Sequence, residues 1–456
     1  MADGRAFERV AGIVRAHRNE RPVVVVSAMS GVTDALLRSI QTAAKDDVNA
    51  AVAALDGHLA RHLEVARSLA GTDDAAGFEI TITEKRGELR ALLQKVEFQQ
   101  SNRPALTDEI LSLGEQLSTI LLALVLQAFD LPAVYVDARR IIVTDCEHGR
   151  ANPLMDETAC RASERLFGLI DQAKVPVLGG FIGASASGET TTLGRGGSDF
   201  SAAIVGAALE AREIQIWTDV SGVLTADPRI VSTARTIPVL SYQEAAELAY
   251  FGAKVLHPKT IQPAIDKSIP VRVCNSRGPN APGTLIVPES EAAPQTVKAI
   301  AHKNGITTVQ VTSARMLGAY GFLRALFEVF DRHRVAVDVV TTSEVSVSLS
   351  LDDTSALPLI IPELEKLGAV EVEERRAIIS VIGEGLRNTP GIAARVFSAI
   401  SDINVAMISV GASSVNLTFM VDAAHACEVI RRLHRVCFEI DLVQAASAIA
   451  GEEVFA

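Results

Sequence analysis

The first part of the chain alternates between short apolar runs and longer segments with helical spacing. Six apolar runs predict β-strands: Val23–Ser27, Ala133–Asp137, Val175–Gly179, Glu213–Thr218, Pro270–Cys274 and Thr284–Val287. Two of the predicted helices have recognisable starts: Ser198 precedes an alanine-rich run, and Ser241 is followed three residues later by Glu244, which is the pattern of a capping box. Strands that alternate with helices predict an α/β fold with a largely parallel sheet and helices on both faces.

The pattern changes after a stretch rich in Gly, Pro and Asn, Asn275–Pro282, and a second such stretch, Pro288–Pro294, which we interpret as a loop and a domain boundary. Beyond the boundary the sequence repeats at an offset of 70 positions, so that Gly321 matches Gly391 and Asp352 matches Asp422. Each copy has the pattern strand, helix, strand, strand, helix. Two equal copies predict a duplicated module that senses a small molecule, and a duplicated structural cap is the alternative.

Composition limits the classes of partner. The chain has 456 residues, a formal net charge of -12 and 48% hydrophobic residues, which suits about three domains of an acidic enzyme. Such a charge disfavours nucleic-acid binding, and no apolar stretch predicts a membrane span or a signal peptide, so we expect a cytoplasmic protein. The five cysteines are widely spaced without a CxxC pair, which predicts buried free thiols instead of a metal site or disulfides.

Two segments have the pattern of a site for anions. Thr190–Asp199 (TTTLGRGGSD) is a glycine-rich loop that leads into a helix, so its backbone N–H groups and Arg195 could hold a phosphate or carboxylate. A tight turn without ligand explains the loop equally well. Thr218 and Asp219 follow a predicted strand, the position at which α/β proteins bind ligands.

Five segments in this order resemble the aspartate kinases of the amino-acid kinase superfamily, in their monofunctional form: Val23–Thr33 (VVVVSAMSGVT), Ser112–Ser118 (SLGEQLS), Thr190–Asp199, Trp217–Arg229 (WTDVSGVLTADPR) and Phe251–Pro258 (FGAKVLHP). The resemblance implies transfer of the ATP γ-phosphoryl group to the β-carboxylate of L-aspartate, the first step toward lysine, threonine and methionine. It also implies an amino-acid kinase fold in residues 1–290 and two ACT domains of βαββα type. The first would comprise residues 313–383 and the second residues 297–312 with 384–456, with Val297–Val311 supplying strands to both.

The start of the chain departs from the family pattern. Family members begin with a strand and the motif Lys-Phe-Gly-Gly-Thr-Ser-Val, whereas this sequence begins Met1-Ala2-Asp3-Gly4. We expect that the motif is encoded upstream of Met1 and that the initiator has been misassigned. The alternative is an N-terminally truncated, catalytically impaired chain that senses lysine.

The resemblance assigns the aspartate site residue by residue. Arg195 would hold the α-carboxylate with Ser198 beside it, and Glu115 would receive the α-ammonium. Ser27 and Thr33 match positions that contact substrate and phosphate, and Phe181 matches a position that packs against the substrate. The alternatives are a structural ion pair for Arg195, an exposed helix position for Glu115 and helix capping for Ser27 and Thr33.

The same resemblance assigns the nucleotide site. Its residues would be Thr218, Asp219, Leu224, Arg229 and Lys254. Leu224 stands where the family often has Tyr, and a generic surface position is the alternative for Lys254. Asp199 resembles an aspartate that organises the catalytic lysine or the metal. Mg²⁺ is expected to arrive with ATP without a protein metal site of its own, and His257 is expected to pack instead of acting as a base.

The first repeat resembles the effector segments of lysine-sensitive aspartate kinases. The matching residues are Met316, Gly321, Phe322, Leu323, Val337, Asp338, Ser343 and Glu344. A helix that begins at Gly321–Leu323 would offer N–H groups to a carboxylate, and Asp338 and Glu344 would offer charge to ammonium groups. Ordinary strand-end carboxylates are the alternative, and threonine-sensitive relatives exist. The resemblance further implies a homodimer or a dimer of dimers formed through the ACT domains.

Overall fold

The computed structural model describes residues 1–45, 47–98, 103–252, 258–289, 296–318 and 320–439. These residues form two compact units, Met1–Ser221 with Leu256–Pro288 and Gly222–Val255 with Glu289–Ala456. The α-helices of the described residues are, in chain order, α1 Gly4–Ala16, α2 Val32–Ala43, α3 Val48–Leu69, α4 Thr72–Phe98, α5 Arg103–Ala128, α6 Met155–Asp171, α7 Gly197–Ala208, α8 Tyr242–Tyr250, α9 Gln262–Asp266, α10 Phe322–Arg332, α11 Leu357–Leu364, α12 Ile392–Ser398 and α13 Ala426–His434.

The strands of the described residues are β1 Val24–Val26, β2 Ala133–Val136, β3 Val143–Thr144, β4 Val175–Gly179, β5 Ile182–Ser185, β6 Thr190–Thr192, β7 Ile214–Thr218, β8 Val239–Ser241, β9 Val271–Asn275, β10 Thr284–Val287, β11 Ala299–Thr312, β12 Val340–Thr342, β13 Ser346–Leu351, β14 Ala369–Ile382, β15 Met407–Val410 and β16 Asn416–Asp422. All six strands predicted from apolar runs are present. The short strands β3, β5, β6 and β8 were not predicted.

The first unit is built on short sheets that are mainly parallel. β4 lies between β1 and β2 and is parallel to both, β3 is parallel to β5, and β7 is parallel to β9. The remaining pairs within this unit, β5 with β6 and β9 with β10, are antiparallel. The predicted α/β class is therefore confirmed.

Helix α5 is the core helix of this unit. Its long apolar sequence packs against α2, α3 and α4 in one hydrophobic cluster that includes Leu121 and Leu126. Among the described residues, α5 alone has the length and apolar composition of a membrane span, and 83% of that apolar window is buried in the protein. Burial on all sides explains why this helix has no polar face.

Capping residues define several helix starts. Ser241 accepts a hydrogen bond from the Glu244 backbone, and the Glu244 side chain accepts one from the Ser241 backbone, so the predicted capping box is confirmed. The capping position predicted at Ser198 is wrong by two residues. Helix α7 begins at Gly197 after Gly196, whose φ of 73° only glycine adopts readily, and no side chain caps it.

The second unit contains a six-stranded sheet in the order β12-β13-β11-β14-β16-β15. Both copies of the repeat follow the predicted order of strand, helix, strand, strand, helix. The long strands β11 and β14 pair with each other, and each also pairs with a strand of its own copy, β11 with β13 and β14 with β16. The long strands therefore connect the two halves of one continuous sheet.

Residues 222–255 lie within the predicted domain of residues 1–290 and group with the second compact unit. Polar contacts explain the grouping. Glu244 forms an ion pair of 2.8 Å with Lys298, and the Thr225 hydroxyl lies 3.0 Å from His434 Nε2. These partners are remote in sequence, so the apolar pattern gave no sign of them.

The cysteines are all free, but three of them contradict the prediction of burial. Cys274 and Cys437 are buried, whereas Cys146, Cys160 and Cys427 are exposed. Cys160 and Cys427 lie on the outer faces of amphipathic helices α6 and α13, where residues of the same helix alternate between core and solvent.

Candidate active site

The carboxyl ends of two parallel strands form one edge of the first unit. Several of the residues predicted to bind aspartate lie near this edge. Val26 at the end of β1 is paired with Gly179 at the end of β4. Directly beyond this pair, the Gly180 N–H donates a 2.8 Å hydrogen bond to the Val26 carbonyl. The loop after β1, which contains Ser27, therefore lies beside the loop after β4, which contains Phe181.

Glu115 reaches this edge from α5. It is only 3% exposed, so the alternative of a solvent-facing helix position is wrong. Its Oε1 atom lies 3.4 Å from the Ala28 nitrogen, and its Oε2 atom has no hydrogen-bond partner among the described residues. Burial raises the pKa of the Glu115 carboxyl to about 8. Once it is ionised, a buried carboxyl with a free oxygen is suited to receive a ligand cation.

The start of α7 contacts the same edge. A Cβ atom added to Gly180 would lie 2.7 Å from Ser198 Cβ and 2.8 Å from Ser198 Cα, so only glycine permits this approach. Ser198 is thereby held next to the loop that carries Phe181. This contact brings Ser198 to the edge at which Glu115 and Ser27 also lie.

Phe181 has a left-handed backbone, with φ of 66°. This conformation costs a non-glycine residue on the order of 1–2 kcal/mol, so the surroundings must hold it in place. The Phe181 N–H donates to the Ser201 hydroxyl at 2.9 Å, and its carbonyl accepts from the Leu193 N–H at 2.9 Å. These two hydrogen bonds fix the backbone of Phe181 between α7 and the segment after β6.

Arg195 lies on the glycine-rich loop between Gly194 and Gly196, both left-handed with φ of 78° and 73°. The side chain is exposed, and no ion pair to it is present among the described residues, which disfavours a structural ion pair. Asp199 follows in the first turn of α7. Burial raises the pKa of the Asp199 carboxyl to about 6. The loop thus presents an exposed cation and a partly desolvated acid.

The predicted residues on the β1–α2 loop have different environments. Ser27 is exposed, and its carbonyl accepts a 2.8 Å hydrogen bond from the Ser118 hydroxyl of α5. Thr33 lies in the first turn of α2 and does not cap it, because the capping position is Gly31 with φ of 80°. The capping alternative is therefore wrong for Thr33.

Asp108 is a residue of this region that the sequence interpretation missed. Its side chain is 1% exposed, and Oδ2 accepts hydrogen bonds from the Thr192 nitrogen at 3.1 Å and the Gly149 nitrogen at 3.0 Å. His148 Nδ1 lies 2.9 Å from the same oxygen, and the Thr192 hydroxyl donates to Oδ1 at 2.6 Å. Asp108 therefore joins α5 to the strand that leads into the Arg195 loop. The sequence did contain a signal for Asp108. It is a charged residue in an apolar helix, and it lies on the same face as Glu115, about two turns before it.

The predicted nucleotide residues are divided between the two units. Thr218 ends β7 in the first unit, and its hydroxyl lies 3.4 Å from the Asp219 carboxylate. Leu224 and Arg229 lie in the second unit, where exposed Arg229 forms a 2.6 Å ion pair with Asp227. Lys254 and His257 lie outside the described residues.

The predicted effector residues lie around the first repeat. Gly321 caps α10 with φ of 82°, so the predicted helix start next to Phe322 and Leu323 is present. Met316 ends a short 3-10 turn, and the Ser343 hydroxyl contacts that of Ser346 at 2.7 Å. The remaining predicted residues differ in exposure: Val337 and Asp338 are partly buried and Glu344 is exposed. Lys303 lies 3.2 Å from the Asp338 carboxylate, so Asp338 already has an ion-pair partner in the protein.

Comparison with known proteins covers almost the whole chain. The amino acid kinase family matches residues 1–275, and the ACT domain family matches residues 379–436. The chain is 38% identical to lysine-sensitive aspartokinase 3 of Escherichia coli, over 96% of this chain and 97% of that protein. It is 39% identical to chloroplastic aspartokinase 2 of Arabidopsis thaliana, over 95% of this chain and 82% of that protein.

Solved structures give the same result. Escherichia coli aspartokinase III in complex with aspartate and ADP superposes with a TM-score of 0.79 at 37% identity, over 96% of this chain and 97% of that chain. The same enzyme in complex with lysine and aspartate gives a TM-score of 0.80 over the same shares of both chains. Sequence and fold agree, and this chain belongs to the aspartokinases of the amino acid kinase family.

Proposed function

We propose that this chain transfers the γ-phosphoryl group of ATP to the β-carboxylate of L-aspartate and forms 4-phospho-L-aspartate. The observation that carries the proposal is the buried Glu115 carboxylate, whose Oε2 has no partner among the described residues. An amino-acid substrate supplies the ammonium group that this oxygen lacks. The aspartokinase relatives in complex with aspartate and ADP support the same substrates.

Recognition of aspartate is assigned to groups of opposite charge. Glu115 receives the α-ammonium, and Arg195 with Ser198 receives the α-carboxylate. Phe181 packs against the substrate, and Ser27 and Thr33 contact the substrate and the transferred phosphoryl group. No general base is required, because a carboxylate with an ordinary pKa near about 4 is ionised at neutral pH. Positioning and electrostatic stabilisation therefore carry the catalysis.

The nucleotide is assigned to Thr218, Asp219, Leu224, Arg229 and Lys254. Mg²⁺ enters with ATP, and it neutralises charge on the phosphates when bound. Asp199 is the nearby acid assigned to organise the ion or a catalytic cation, since its partly desolvated carboxyl lies at the start of α7.

Feedback regulation is assigned to the first repeat. We infer that lysine binds at Met316, Gly321, Phe322, Leu323, Val337, Asp338, Ser343 and Glu344 and lowers activity. The 38% identity to a lysine-sensitive aspartokinase supports lysine over threonine. We further infer a cytoplasmic homodimer or dimer of dimers that assembles through the ACT domains. The alternative of a catalytically impaired sensing chain is not favoured, because the similarity to aspartokinases spans nearly the whole chain.

The test is trapping of the acyl phosphate with hydroxylamine in the presence of ATP, Mg²⁺ and aspartate. We expect aspartate to give the hydroxamate and succinate, which lacks the ammonium group, to give none. Arg195→Ala should lose on the order of 2–4 kcal/mol of transition-state stabilisation, whereas the exposed Arg150→Ala should retain the wild-type rate. Equal rates for aspartate and succinate would refute the assignment of Glu115.

A further inference from the structure

Asp338 has its two oxygens occupied by groups of the same unit. Its side chain is only 4% exposed. The hydroxyl of Tyr250, the last residue of α8, donates a hydrogen bond to Oδ1. The ammonium of Lys303 on β11 lies 3.2 Å from Oδ2. A resident primary ammonium thus occupies the acceptor that the proposed function assigns to lysine.

Lys303 is held at this position by more than Asp338. Its Nζ lies 2.7 Å from Asp352 Oδ2 and 5.2 Å from the centre of the Tyr250 ring. Burial opposes the charge, but the bonds to Asp352 and Asp338 exceed this effect and raise the pKa of Lys303. The side chain is therefore a charged ammonium held by two carboxylates and an aromatic face.

We propose that Lys303 is an internal competitor for the effector, so that a lysine ammonium binds Asp338 only by displacing it. The inference rests on the proposed function in one respect, the placement of lysine beside Asp338. Competition follows from chemistry, because both groups are primary ammonium ions that seek the same carboxylate oxygen. While Lys303 occupies Asp338, lysine can bind only the fraction of molecules in which Asp338 is free. The apparent affinity for lysine falls in proportion to that fraction. Lys303 accordingly sets the lysine concentration at which inhibition begins.

Replacement of the competitor tests the proposal. Lys303→Met keeps the length of the side chain and removes the charge, and we expect half-inhibition at a lysine concentration about fivefold or more below that of the wild type. Lys303→Arg keeps a cation and should keep a threshold near the wild-type value. The exposed Lys366→Met is the matched control and should change nothing. In all variants the uninhibited turnover should remain near that of the wild type.

A second variant covers the case in which Lys303→Met fails to fold. Asp352→Asn weakens the hold on Lys303 and leaves Asp338 intact, so it should also lower the inhibitory concentration of lysine. Thermal unfolding and calorimetric lysine binding are measured on each variant. Unchanged or weaker lysine binding in a folded Lys303→Met or Asp352→Asn protein overturns the proposal, even when the wild type is inhibited. If lysine neither binds nor inhibits the wild type, that result overturns both the effector assignment and the proposed competition.

Discussion

One carboxylate oxygen of Glu115 lies 3.4 Å from the Ala28 nitrogen, and the other oxygen has no partner among the residues that the structure describes. The helix that carries Glu115 is buried, so the carboxyl is protonated over much of the neutral range, with a pKa of about 8. Its Ala28 contact links it to the loop that bears Ser27. This arrangement is unfavourable in the free protein, and the proposed binding of an ammonium group would offset that cost.

The first prediction is that aspartate binds more tightly as pH rises toward 8. Binding of the ammonium requires ionised Glu115, and below the pKa of about 8 the proton must first be lost. The KM for aspartate should therefore fall by up to roughly tenfold per pH unit below that pKa and then level off. Calorimetry near pH 7 in buffers of different ionisation enthalpy should detect release of a proton on binding. Glu115→Gln should raise KM and abolish this proton release, and proton uptake by the wild type would contradict the prediction.

The second prediction concerns Asp108, which positions the glycine-rich loop. Asp108→Asn replaces one acceptor oxygen with an amide group that faces the donors Gly149 and Thr192. We expect a KM for aspartate roughly 10- to 100-fold higher, as for other residues that orient binding groups, with a smaller change in kcat. The exposed Asp56→Asn, which breaks a surface ion pair with Arg86, is the control and should be nearly silent. Equal effects of the two variants on KM would refute the positioning role.

The third prediction concerns the contact between Gly180 and Ser198. Gly180→Ala places a methyl group 2.8 Å from Ser198 Cα, which is backbone and cannot turn away. We expect α7 to shift, activity to fall by at least about tenfold and stability to fall by about 1–3 kcal/mol. The control is Gly168→Ala in α6, where a Cβ meets nothing within 4 Å, and it should stabilise the protein by roughly 0.5–1 kcal/mol. Activity assays and denaturant unfolding measure both, and a fully active Gly180→Ala protein would exclude the contact as a determinant of the site.

The sequence was sufficient to predict those parts of the fold in which local signals and long-range packing agree. The capping box of Ser241 and Glu244 uses only neighbouring residues, and the repeat that relates Gly321 to Gly391 preserves a helix start in each copy. Apolar runs such as Val175–Gly179 predicted buried strands because their burial is continuous. These features depend on residue type at fixed spacing, which one sequence displays directly.

The features that were missed depend on partners distant in sequence. Asp108 meets Gly149 and Thr192 only after the chain folds, and Lys303 meets Asp338 across the sheet. The start of α7 was misplaced because a left-handed glycine performs the role expected of Ser198. No local pattern distinguishes such a glycine from one in an ordinary turn.

The last prediction concerns His62, a buried histidine next to the β1–α2 region. It is 0% exposed, and burial lowers its pKa to about 4. Its Nδ1 lies 2.7 Å from the His58 carbonyl, and its Nε2 has no partner in the described chain. The folded protein therefore keeps His62 neutral, whereas the unfolded chain protonates it as pH falls below about 6.5. Stability contributed by neutral His62 is present above the unfolded pKa and is lost progressively as pH falls toward the folded value.

Denaturant unfolding at pH 7.5 and pH 5 measures this loss. His62 should account for on the order of 2 kcal/mol of the difference between the two conditions, so His62→Leu should be less sensitive to acid by that amount. The exposed His425→Asn should retain the acid sensitivity of the wild type. Equal acid sensitivity of His62→Leu and the wild type would show that His62 is protonated without cost in the folded protein, through rearrangement around Nε2 or entry of water. In that case, crystals or spectra of the wild type at pH 5 should show a structural change in α3 near His62. The protonated Nε2 atom would need a new hydrogen-bond partner there.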